Sequence, residues 1–400
     1  MPSVTLDPAV RHNSRVLVAA QALGGASAPI IISLGGLVGQ MLSTTPALAT
    51  LPVSLYNTGL ALSTLPAAWF MRRIGRRQAY LLGAVLGLLS GLLAAWAIVL
   101  GDFWLFCLGT AMAGFYGACV QSYRFAATDG APPDWRPVAI SRVLIGGLAA
   151  AVIGPQVVIW TRDLWVAAPF TGSFVGQALL AVLAVPVLWL LRPLPAAAEP
   201  TVSEGGRPLR QIVSQPRFVV AVSAGVVSYG LMAFIMTAAP MAMVGCGFTV
   251  GEAALGIQWH VLAMFAPSLF TGQLIQRFGK ITITGAGLAL IGASGALALG
   301  GLELTHFWGS LILLGLGWNF GFIGATALIT DCYRPEERTR VQSFNDFLVY
   351  GSVAVASFGA GHLLNTAGWE IINQLMFPLL AVVLAMLAWL AWREREMATA

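Results

Sequence analysis

Two pairs of side chains in this 400-residue sequence carry metal-donor atoms at helical spacing. Met232 and Met236 stand four apart in YGLMAFIMTAAP, and His260 and Met264 stand four apart in GIQWHVLAMFAPSLF. Residues four apart share one helix face and lie about 6 Å apart along the axis. A short turn near Cys246–Gly251 makes an antiparallel hairpin of the two segments. Counting outward from its centre sets Met236 level with His260, and Met232 level with Met264, provided the helices rotate these faces together. Thioether sulfur is soft and selects Cu(I), and imidazole is a good neutral donor for copper. Such a set rejects hard cations, which need oxygen. The plainer reading is packing, because Met fills irregular gaps in cores and a buried His satisfies a hydrogen bond. Spacing alone leaves both readings open.

The elements that must position these pairs are membrane helices. The chain is 58% hydrophobic and 9% charged, whereas a soluble domain carries about 25% charged residues. Twelve apolar segments reach spanning length, at 16–38, 47–70, 78–100, 103–127, 138–161, 165–191, 217–244, 253–276, 281–302, 305–330, 341–364 and 368–391. Only helices satisfy the backbone in lipid without a closed barrel, so the fold class is an all-α integral membrane protein. The four cysteines have no regular spacing, which argues against a disulfide framework or a zinc module. No glycine-rich phosphate loop, nucleophile–base pair or zinc-protease signature is present, so an enzyme is not expected.

Basic residues set the orientation. Arg72, Arg73, Arg76 and Arg77 follow the second span; Arg192, Arg207, Arg210 and Arg217 flank the central connection; Arg334, Arg338 and Arg340 follow the tenth. Both termini are therefore expected on the cytoplasmic side. The formal charge of +5 reflects topology and not a nucleic-acid partner. The organisation expected is an N-terminal six-helix half (1–192), a cytoplasmic central loop (193–216) and a C-terminal six-helix half (217–400). The halves match at a constant offset of 204: Arg73-Ile74-Gly75-Arg76 maps onto Arg277-Phe278-Gly279-Lys280, Asp102-Phe103-Trp104 onto His306-Phe307-Trp308, and Trp165 onto Trp369. A duplicated six-helix unit follows. At that offset the four donors map onto Ala28, Ile32, Tyr56 and Leu60, none a comparable ligand, so the donor set belongs to one half only.

Twelve helices in a 6+6 repeat, with FMRRIGRR after the second span and IQRFGK after the eighth, resemble the major facilitator superfamily. That family usually has an acid where this chain has Met71. The departure puts in doubt the usual charge lock, although Asp346 remains a candidate partner for an arginine of that loop. MAFIM with HVLAM is, further, similar to the CcoA-type copper-importing branch. The resemblance implies that Met232, Met236, His260 and Met264 bind copper. It also implies import across a bacterial inner membrane for assembly of a haem–copper cytochrome oxidase. The expected partners are then copper, the lipid bilayer and a cytoplasmic copper chaperone or exporter, with copper as substrate and no permanently bound cofactor. Relatives of that branch carry organic solutes such as riboflavin, so a facilitator of such a solute or of a drug is the first alternative. A non-transporting copper sensor or assembly factor is the second.

Two further groups have suitable chemistry. Cys107, Cys119, Cys246 and Cys332 fall on or at the ends of spans four, seven and ten; they are either small hydrophobes or a thiol relay or redox pair. Arg72, Arg73, Arg76, Arg142 and Asp346 gather at the inner ends of the spans. They read either as a gate or as topological anchors and weak surface pairs.

Overall fold

The computed structural model describes residues 7–132, 135–192 and 206–399. Among them there are only helices and connections, with no strand. The helices are α1 (Pro8–Gly24), α2 (Ser27–Leu42), α3 (Leu51–Ile74), α4 (Arg76–Leu100), α5 (Phe103–Ala126), α6 (Arg136–Thr161), α7 (Thr171–Trp189), α8 (Leu209–Val213), α9 (Pro216–Gly245), α10 (Val250–Phe265), α11 (Ser268–Phe278), α12 (Lys280–Leu299), α13 (Leu304–Ile329), α14 (Arg338–Gln374) and α15 (Met376–Thr399). Among the described residues nine helices are long and apolar enough to cross a membrane, or ten if the bent pair α10–α11 is one span. The last of these runs from Arg340 to Glu396, 57 residues, long enough for two crossings. Gly368, with φ +81°, interrupts it where the sequence places the boundary between the last two spans. The helix α3 is 24 residues long and more polar, ending in Arg72 and Arg73.

The chain divides into two compact units. One is Met1–Glu199 with Thr249–Gln258; the other is Pro200–Phe248 with Trp259–Ala400. Most of the expected central loop (193–205) lies outside the described residues.

The offset of 204 is visible in the backbone. Gly75 precedes α4 with φ +83° and ψ 157°, and Gly279 precedes α12 with φ +86° and ψ 156°. A positive φ suits a residue without Cβ, and this sharp corner lets each chain re-enter the bilayer at once. Helix crossings repeat as well, with the small residue on opposite partners. In the first unit Gly59 of α3 lies against the Ala111 carbonyl of α5. In the second, at the same offset, Gly315 of α13 lies against the His260 carbonyl and Ala263 of α10. Small residues let backbones approach, which is how helices gain packing in lipid.

Charge pairs close the ends of both units. Arg76, at the start of α4, pairs with Asp129 beyond α5. Lys280, at the start of α12, pairs with Asp331 beyond α13 at 2.5 Å, and Asp331 also takes Arg217 at 2.7 Å. Met71, where the family pattern has an acid, lies 3.6 Å from the Ser122 hydroxyl and 4.0 Å from the Arg76 guanidinium.

In the second unit Arg207 grips Glu337, a carboxylate with no exposed side-chain surface. Arg207 donates its backbone N–H at 2.7 Å, Nε at 3.0 Å and a terminal nitrogen at 2.8 Å, and the Arg334 N–H adds a bond at 2.9 Å. These donors stabilise the charged form and hold Glu337 well below the ordinary carboxylate range.

Two predictions follow from these features. Gly279→Ala places a Cβ at positive φ and should cost about 1–2 kcal/mol. Gly285→Ala, at an uncrowded helical glycine, should be neutral or stabilising; thermal unfolding of the purified protein in detergent compares the two. A lowered folded-state pKa means that Glu337 stabilises fully above the unfolded carboxylate value, about 4.3, and loses that contribution as pH falls below it. The stability gap between wild type and Glu337→Gln should be constant from pH 8 to 5 and shrink below about pH 4. A gap that widens in acid contradicts the assignment.

Candidate functional site

The sequence-predicted donors are all in the second unit and all buried: Met232 at 1% exposure, Met236 at 8%, His260 at 0% and Met264 at 6%. The helix α9 ends at Gly245, and α10 starts behind a capping box in which Thr249 and Glu252 bond each other's backbone N–H. His260 is fully buried. Its Nδ1 lies 2.7 Å from the Leu311 carbonyl of α13. A carbonyl only accepts, so Nδ1 carries the hydrogen and the neutral ring keeps a lone pair on Nε2. Nε2 is buried without a partner. The repeat counterpart Tyr56 is also a buried polar ring, so a large polar side chain at this helix crossing recurs in both units. Among the described residues no three His, Cys, Asp or Glu side chains come together as a metal site.

The cysteines are free. Cys119 and Cys332 lie 4.0 and 3.6 Å from the carbonyls of Ala79 and Leu328, Cys107 is buried, and Cys246 is exposed at the end of α9. Burial pushes the Cys332 thiol up to about 11, away from the thiolate form. Of the expected gate residues, Arg76 is paired with Asp129. Arg73 lies over Trp69, and Arg142 over Trp135. Arg72 is exposed, and Asp346, also exposed, accepts from Asn345 at 3.1 Å.

Two features of the second unit escaped the sequence reading. The first is the break in the eighth span. The helices α10 and α11 meet at 44° around Ala266 and Pro267. Pro267 has no N–H for the carbonyl of Ala263, four residues back. Asn319 of α13 fills the break, donating to the Met264 carbonyl at 2.6 Å and the Ser268 hydroxyl at 2.7 Å and accepting from Thr271 at 2.6 Å. It is fully buried and fully used. Its counterpart at offset 204 is Phe115, so only one unit has this device.

The second is a ring cluster beside Asn319. Trp318 and Phe322 of α13 lie near-parallel, 5.3 Å apart at 16°. Tyr229 of α9 meets both edge-on, at 5.2 and 5.0 Å, and stands 5.9 Å from Tyr350 of α14. Phe265, the last residue of α10, stands 6.1 Å from Trp318. The Trp318 indole N–H is buried without a hydrogen-bond partner, as is the Ser228 hydroxyl, which lies against Gly321 of α13. The sequence did carry a signal. At offset 204 the five rings map onto Gly25, Ala61, Gly114, Ala118 and Gly146, every one a small residue.

The Major Facilitator Superfamily model matches residues 16–345 and 222–399. The riboflavin transporter RfnT of Brucella anthropi is 60% identical over 377 residues, covering 94% of this chain and 95% of that protein. The uncharacterised MFS-type transporter YdeG of Bacillus subtilis is 29% identical over 390 residues, covering 94% and 90%. Among solved structures, an inward-facing, unoccupied bacterial homologue of the human lysosomal transporter Spinster superposes with a TM-score of 0.71 at 14% identity, covering 96% of this chain and 97% of that one. The nucleoside transporter NupG gives 0.69 at 13% identity, covering 95% and 99%. Both support the fold alone.

These findings correct the copper reading. A relative that shares three residues in five along nearly the whole length is a riboflavin transporter. Copper as cargo, the link to cytochrome oxidase assembly, and the copper chaperone or exporter as partner are withdrawn. The physical reason is that Met-x-x-x-Met and His-x-x-x-Met fix a shared helix face, whereas the neighbours of that face decide its chemistry.

Removing Asn319 tests the architecture of the break. Asn319→Ala takes the donor away from the Met264 carbonyl and the Ser268 hydroxyl, while Thr271 keeps the Pro267 carbonyl 2.7 Å away, and should cost roughly 2–4 kcal/mol. Thr271→Val, which removes the bond that Asn319 accepts, should cost less. Thermal midpoints in detergent rank the two, and an Asn319→Ala midpoint equal to wild type contradicts the role.

Proposed function

Because the chain belongs to the major facilitator superfamily, we propose a cargo for it: riboflavin or a closely similar flavin. The observation that carries this reading is 60% identity to a riboflavin transporter over 94% of the chain. The chemistry of the second unit supports it. A flavin offers a flat three-ring heteroaromatic face, carbonyl and ring-nitrogen acceptors, and a hydroxylated tail. Half-buried aromatic rings in the middle of four helices give such a face something to stack on. We place the protein in a bacterial inner membrane with both termini cytoplasmic, on the distribution of its arginines. The expected mechanism is alternating access, with the six-helix repeats rocking about a mid-membrane substrate.

Proteoliposomes containing the purified protein should accumulate radiolabelled riboflavin in a saturable, time-dependent way, and excess unlabelled riboflavin should abolish the signal. Uptake no faster than in protein-free liposomes, or competition by unrelated drugs but not by riboflavin, removes the flavin reading.

A further inference from the structure

The ring cluster is a built feature that the fold does not require. Five aromatic side chains from four helices converge: Tyr229, Phe265, Trp318, Phe322 and Tyr350. Each sits near the middle of its span, counting α10 and α11 as one. In the first unit the same five positions hold glycine or alanine. There they serve close packing: Gly114 lies against the backbone of Tyr56 and Leu60, and Gly146 against the Val18 carbonyl. One copy of the duplicated unit thus brings backbones together where the other puts rings between its helices.

Packing alone does not account for the polar atoms within the cluster. A polar group unsatisfied in the hydrocarbon region costs several kcal/mol. The Trp318 indole N–H, on a side chain 93% buried (7% exposed), has no partner, and Phe or Leu would fill the same space without that cost. The Ser228 hydroxyl, at 0% exposure, is also unpartnered. Asn319, next in sequence to Trp318, is locked by three hydrogen bonds and fixes the rotation of α13 that presents the indole. An orphan indole N–H within a set of packed rings fits a planar solute that is both aromatic and a hydrogen-bond acceptor.

We propose that these five rings are the stacking subsite for the isoalloxazine of the transported flavin, with the Trp318 indole N–H donating to one of its carbonyl oxygens or ring nitrogens. This assignment rests on the flavin reading and adds to it a place and an orientation. The substrate is held chiefly by the second unit, between Tyr229 on α9 and the Trp318–Phe322 pair on α13, with Phe265 and Tyr350 closing the sides. Binding is non-covalent and no bond is made or broken.

Equilibrium binding of radiolabelled riboflavin provides the readout of affinity, with quenching of its fluorescence as the sign of ring stacking. Riboflavin titrated into the wild-type protein in nanodiscs should be quenched saturably. Trp318→Ala should weaken the apparent affinity by roughly tenfold or more, the scale of one aromatic stacking contact. Trp318→Phe keeps the ring and loses the N–H, so its loss should be smaller, about threefold to tenfold. Tyr229→Leu, which keeps apolar volume and removes the edge contact, should fall in the same range. Trp104→Phe, at an exposed position of the first unit, should bind as wild type does. Thermal midpoints of all variants check folding, and Trp318→Phe stands in if Trp318→Ala does not fold. Quenching and transport unchanged in Trp318→Phe and Tyr229→Leu overturn the subsite while leaving flavin transport intact. Wild-type protein that neither quenches nor accumulates riboflavin overturns the flavin reading, and the subsite falls with it.

Discussion

Lipid offers no hydrogen bonds, so any interruption of a helix inside the bilayer has to be repaired by the protein itself. Among the described residues one span is bent by more than 40°, at the Ala266–Pro267 break in the eighth span, and one side chain, Asn319, bridges it. Much of the second unit is arranged around that repair. Asn319 ties α13 to the residues on both sides of the break, Met264 before it and Ser268 and Thr271 after it. One turn earlier, Gly315 lets the backbone of α10 approach, and Leu311 holds His260 through its carbonyl. Trp318, adjacent to Asn319, has little freedom to turn away from the rings that surround it. The polar repair and the aromatic cluster are thus two consequences of the same fixed rotation of α13.

The duplicated plan makes these features stand out. Both units use a left-handed glycine corner ahead of their third span, and both pair a cation at that corner with an acid beyond the fourth span. Shared features of this kind describe what the fold needs. Differences at a constant offset describe what each copy has been altered to do. Ser63 became Pro267 and Phe115 became Asn319, or the reverse, and five small residues stand opposite five rings. A half that is close-packed and a half whose helices are lined with rings have different capacities for a guest.

The same comparison shows how far the sequence could be read. The all-helical fold and its apolar spans were legible because lipid enforces length and apolarity, and the corners at Gly75 and Gly279 because a positive φ demands glycine. The paired helix faces of Met232, Met236, His260 and Met264 were legible too, since a period of 3.6 residues is strict. Their chemistry was not. His260 meets the carbonyl of Leu311, 51 residues away, and no spacing rule reports that contact. Nor was the break foreseeable in full. Pro267 is visible within the eighth apolar segment, but Asn319 lies two spans further on. The rings were hidden for a similar reason, being scattered from residue 229 to 350 with no period, and only the offset to glycine and alanine marks them as a set.

A carrier must hold its substrate and then let go, and the kind of contact decides whether both are possible. A cage of many directed hydrogen bonds leaves each partner unsatisfied on release, and inside a bilayer each such loss costs more than it would in water. Stacking is different: its strength comes from area and ring quadrupoles, and aromatic edges and faces can re-pack against one another when the guest leaves. Tyr229 stands edge-on to Trp318 and Phe322, so the rings satisfy much of their own contact surface. Only the indole N–H and the Ser228 hydroxyl remain in deficit. In the proposed subsite a planar acceptor that displaced the edge of Tyr229 would exchange one aromatic contact for another, and a small net gain of that kind would allow both capture and release.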